Sequence, residues 1–143
     1  MDLTVNNTSS YQNTFGARLS WKTRRAIKRG IRSEVREIAQ HGKNISKIRL
    51  KDRKNMYKKI LSAVDKIGDG TFSLYNELGL SSKVTKIDFS GPYGYKAFNL
   101  PEDIQNEIKL VDASNIFTNK YKIKEFPAKR LGWLYNFFQN VKV

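Results

Sequence analysis

The sequence predicts an α+β fold: N-terminal basic helices, then a small antiparallel sheet (a β-hairpin plus one strand), then two C-terminal helices. Three observations lead there. Arg18–Gly42 carries aliphatic residues at helical spacing with cations opposite them. Val84–Leu100 holds two runs around a Ser-Gly-Pro-Tyr-Gly turn, the first of them alternating. Pro101 and Pro127 each head a stretch that reads as a helix, a position where the missing N–H costs nothing.

Met1–Gly16 is rich in Asn, Thr and Ser and has Phe15 as its one strong anchor, so residues 1–16 read as an extended or disordered arm. Residues 17–143 form one α+β domain, with a basic helical half over 17–69 and an aromatic-rich, nearly neutral half over 70–143. In the first helix Ser20 is the expected N-cap, and Ile27, Ile31, Val35 and Ile38 fall in one stripe at about 100° per residue. Gly42 stands where a helix end favours positive φ. Lys43–Lys51 suits neither period and reads as a connector or the opening turns of the next helix. Asp52 is the expected cap of that second helix, with Met56, Ile60, Val64 and Ile67 facing inward and Gly68-Asp69-Gly70 as its stop.

Thr71 is expected to cap a short helix over Phe72–Leu78, closed by Gly79. Val84–Phe89 and Tyr95–Leu100 are the hairpin strands. The helix after Pro101 points Ile104, Ile108 and Val111 inward, with Glu102 and Asp103 matched to its N-terminal dipole. A third strand is expected within Ile116–Phe126, where Tyr121 and Ile123 alternate. The helix after Pro127 presents Leu131, Leu134, Tyr135, Phe138 and Val141 as a broad apolar face, widened by Trp133 and Phe137.

At 143 residues the chain is one domain's worth, large enough for a core without staples. It contains no Cys, which excludes a disulfide framework, Cys-based zinc and thiol catalysis and fits a reducing compartment. No apolar run approaches a membrane span and Met1–Ser20 has no apolar signal core, so a cytoplasmic location, or the inside of a virion, is expected.

Charge is the most informative property. The net +14 is concentrated: Arg18–Lys66 holds 17 Lys and Arg against four acids. Aromatic residues show the reverse, with 13 of 17 lying after residue 70. Such asymmetry points to a polyanionic partner. On the first helix Lys22, Arg25, Arg29, Arg32 and Arg36 share one arc, flanked by Arg18, Arg24 and Lys28, while Glu34 and Glu37 keep to an edge. Arg outnumbers Lys there, and its planar fork suits phosphate.

Two stretches resemble known families. Leu74–Ser81, with its Leu-Gly-Leu-Ser turn, resembles the first helix and turn of a helix-turn-helix, with the Val84–Leu100 hairpin as a wing. Tyr75 stands where that family needs a small residue, Thr85 and Asp88 where it needs apolar ones, and the basic charge lies elsewhere. The stretch is read instead as an ordinary helix end. Asp88 with Glu107-Ile108-Lys109 resembles the D…E-x-K spacing of metal-dependent nucleases, in which the carboxylates hold Mg²⁺. That family places E-x-K on a strand, whereas Pro101-Glu102-Asp103 argues for a helix through Glu107, on which Glu107 and Lys109 point apart. His41 is the only histidine and sits at a helix C-terminus, which excludes paired-histidine ribonuclease chemistry.

The sequence therefore predicts a non-catalytic protein that binds DNA or RNA through phosphates, using no cofactor or metal and no membrane. Its expected contacts are Lys22, Arg25, Lys28, Arg29, Arg32 and Arg36 on the first helix and Lys54 and Lys58 on the second. Tyr93, in its Gly-Pro-Tyr-Gly turn, is the expected exposed aromatic for base stacking. The alternative is a structural or assembly component of a virion or scaffold, whose basic half neutralises nucleic acid or docks on an acidic protein partner. A nuclease toxin is the third reading.

Overall fold

The computed structural model describes residues 16–75, 86–106, 109–110 and 123–143. Strand β1 (Ala17–Leu19) leads into helix α1 (Trp21–Ala39), and α2 (Lys43–Asp65) follows after a short turn. Strands β2 (Gly70–Tyr75), β3 (Lys86–Gly91) and β4 (Gly94–Asn99) complete a four-stranded sheet in the order β1-β2-β3-β4. One helical turn, α3 (Glu102–Gln105), precedes a separate two-stranded ladder of β5 (Lys109–Leu110) and β6 (Ile123–Glu125). A 3₁₀ turn (Ala128–Arg130) runs into the last helix, α4 (Leu131–Asn140). The layout is α+β, with helices first and sheet later.

The sheet is mixed rather than antiparallel. β1 pairs parallel to β2, Leu19 opposite Phe72, and both long helices lie in the crossover between them. Ala17-Arg18-Leu19 is too short for its alternation to register in sequence. Thr71–Tyr75 is a strand, not a helix, so the helix-turn-helix resemblance fails at its first element: Leu74 and Tyr75 lie on β2. The period of two was there to be read, since Phe72 and Leu74 oppose Phe89 and Ile87 on the core face while Thr71 is exposed. Residues 76–85, which carry the rest of that motif, lie outside the described residues. The hairpin follows expectation, with Gly91 opposite Gly94 across Pro92-Tyr93.

Other boundaries move too. Lys43–Lys51 is the opening of α2, so Asp52 is an exposed interior position and not a cap. Gly42 precedes α2 with φ 176°, extended backbone open to any residue, and α1 instead closes through Gln40 and His41 N–H bonds to the Arg36 and Ile38 carbonyls. α2 stops as expected, at Asp65, and Gly68 (φ 100°) then turns the chain toward β2. The helix after Pro101 ends at Gln105, where Gln105 Nε2 donates to the Leu100 carbonyl at 2.7 Å. Lys109 is consequently on a strand paired with Glu125, not on a helix. Ile108, Val111 and Tyr121 lie outside the described residues, as do residues 1–15 of the expected arm.

One hydrophobic core joins both halves of the chain. Phe72 is its centre, fully buried, with its ring 4.7 Å from Phe89 and 5.0 Å from Phe138. Ile27 and Ile31 of α1, Ile60 and Val64 of α2, and Leu131, Leu134 and Phe138 of α4 close around it. Val35 and Ile38 are only half-buried, contrary to the even stripe expected. Full burial on α1 runs only from Thr23 to Ile31, and its last two turns carry no fully buried residue. Thr23, Ala26 and Gly30 supply the rest of the buried face.

The N-terminus of α1 is tied to the sheet by hydrogen bonds. Ser20 caps it as expected, its hydroxyl accepting from the Thr23 N–H at 3.2 Å. Beyond the end of β1 the Ser20 N–H donates to the Phe72 carbonyl at 2.7 Å. One step further the Thr23 hydroxyl accepts from the Leu74 N–H at 3.1 Å, taking over from the vanished strand. Thr23 is 2% exposed, so Thr23→Val would leave a sequestered N–H without its acceptor. We expect that variant to lose about 1–3 kcal/mol in urea melts; unchanged stability would mean that water satisfies Leu74 instead.

Candidate functional site

The short turn after α1 folds α2 back along it. Two contacts register the pair: Arg53 donates to Glu34 at 3.2 Å, and the Lys28 ammonium lies 5.8 Å from the Tyr57 ring centre. Arg53 and Glu34 are half-buried and spent on each other, which removes one cation and one acid from the exposed side. Between the helices runs a groove of about 510 Å³. Its floor is apolar, made by Ile31, Leu50, Tyr57 and Leu61. Its rims are cationic, Lys28 and Arg32 from α1 facing Lys54 and Lys58 from α2, and among the described residues no carboxylate lines it.

The structure thus brings together four of the residues that the sequence marks for phosphate. Lys22, Arg25, Arg29 and Arg36 are exposed on the outward arc of α1, continuous with Lys28 and Arg32. Tyr93 is fully exposed at the hairpin tip but belongs to a different depression, beside Ile67, Asp69 and Tyr95. It is not part of the cationic groove.

Helix α2 supplies cations that sequence reasoning missed. Lys47 and Lys51 are exposed and continue the row of Lys54 and Lys58 at spacings of four and three residues, one face of a helix. The periodicity of Lys43–Lys51 was obscured by Ile48, which is 64% exposed and so breaks the apolar pattern. Tyr57 was also missed as a floor residue. Burial pushes its hydroxyl above the usual phenol range, partly offset by nearby Arg24, so the ring remains neutral beneath the cations.

Residues with potential for acid–base chemistry are dispersed. His41 is exposed, with Nδ1 2.9 Å from the Glu37 carbonyl. Asp88 on β3 accepts from the Tyr95 hydroxyl at 2.8 Å, which raises the Tyr95 pKa. Asp88 and Lys109 belong to different sheets, and Glu107 lies outside the described residues. Among the described residues no helix is long and apolar enough to cross a membrane. Comparison with protein-family models, curated proteins and solved structures found no match to this chain.

Proposed function

We propose that this protein is a non-catalytic nucleic-acid binding protein that holds phosphates along the exposed cations of α1 and α2. One observation carries the reading: two helices converge four cations on a groove that no acid lines among the described residues. Like charges set side by side repel, and an unliganded surface gains nothing from that arrangement. A polyanion turns the same repulsion into attraction by releasing its own counterions. The Arg residues add paired donors that match phosphate oxygens.

The reading is tested by titrating single- and double-stranded DNA and RNA of equal length across a salt series. For roughly six phosphates engaged, log K should fall by about five for each tenfold rise in salt on duplex DNA. Binding should differ little among sequences of the same form, because phosphate contacts position without specifying. A flat salt response would sink the proposal.

A further inference from the structure

Trp21, the first residue of α1, is 59% exposed and takes no part in the hydrophobic core. Among the described residues this large indole at the head of a cationic helix packs against Arg25 and not against the core. Its surroundings are specific. The Arg25 guanidinium sits over the ring, 5.0 Å from its centre, while more than half of the residue's surface stays exposed. At about 100° per residue, Trp21, Lys28 and Arg32 fall within about 40° of arc, the side of α1 that borders the groove. Seven residues separate Trp21 from Lys28, about 10 Å along the axis. The ring therefore stands at one end of the groove, in line with the cations of its α1 rim.

We infer that the groove takes a single strand of nucleic acid, with phosphates between the two rows of cations and one base stacked on the exposed ring of Trp21. The inference rests on the phosphate-binding reading and names its substrate class. In a duplex both faces of each base are already stacked and its edges are paired, so an aromatic plane on the protein finds nothing to receive. An unpaired strand offers its bases outward, and any base can stack on an aromatic ring. The apolar floor of Ile31, Leu50, Tyr57 and Leu61 points the same way: with the phosphates held by the cations at the rims, it offers the unpaired bases an apolar surface below them.

Fluorescence provides the test, because Trp133 is the only other tryptophan. In the full chain carrying Trp133→Phe, emission reports on Trp21 alone. Added oligothymidine should quench it, while the matched duplex should bind without quenching. Trp21→Ala should weaken oligothymidine binding roughly tenfold with the salt slope unchanged, and Trp21→Phe should recover most of the loss. Binding that is salt-dependent but indifferent to Trp21→Ala overturns this inference and leaves the phosphate-binding reading standing. Absence of salt-dependent binding to either form overturns both.

Discussion

Gly30→Ala should destabilise the protein by about 3 kcal/mol or more and lower its melting temperature by roughly 10 °C. In an exposed helix the same change would stabilise by about 1 kcal/mol, because glycine is a poor helix former. Gly30 lies inside α1 and is buried, and a methyl group there would run into the carbonyl of Phe126. Both partners are held. Phe126 is fully buried, and Pro127 follows it to start the turn that enters α4. The clash is with backbone, so no side-chain rotamer relieves it. Thermal and urea melts decide the matter, and the sign alone is informative. A variant as stable as the parent, or more so, would mean that the segment before α4 does not seat on α1.

Replacing Lys28, Arg32, Lys54 and Lys58 together with Gln should reduce nucleic-acid affinity on the order of 10²–10³-fold. The salt slope should become shallower by about four units, one for each phosphate contact removed. Stability should change little, because relief of like-charge repulsion across the groove offsets the lost contact of Lys28 with the Tyr57 ring. Lys59 and Lys66 serve as the comparison: both are exposed, Lys59 on α2 and Lys66 just past its end, and neither lines the groove. Their double Gln variant should move affinity only severalfold, through long-range attraction alone. If the two variants lose binding equally for each charge removed, the groove has no special standing. If the four-residue variant unfolds, those cations serve the fold rather than a ligand.

Much of α1 was legible in the chain. Ser20 as cap, Ile27 and Ile31 as buried positions and the cations opposite them all follow from a period of 3.6 written in about 20 residues. The hairpin was legible for the same local reason, since Gly91-Pro92-Tyr93-Gly94 permits little besides a turn. Reading failed where the local signal was short or mixed. Ile48 hid the start of α2 and, with it, Lys47 and Lys51. Gly79 and the Leu-Gly-Leu-Ser turn drew Phe72–Leu78 toward a helix, although Thr71-Phe72-Ser73-Leu74 alternates. Only the presence of β1 and β3 on either side makes that run a central strand.

The sequence by itself determined the α+β class and the cationic arc of α1, together with the concentration of charge in residues 18–66. Each of these depends on neighbours along the chain, through helical period, turn chemistry or composition. The tertiary structure alone decided the rest. The parallel pairing of β1 with β2 joins residues about fifty positions apart, as does the Thr23–Leu74 hydrogen bond. The close approach of Phe126 to Gly30 spans almost a hundred. The groove is of this second kind: Lys28 and Arg32 meet Lys54 and Lys58 only because α2 folds back on α1. No local period encodes such meetings, because burial of a shared core selects them after the elements have formed.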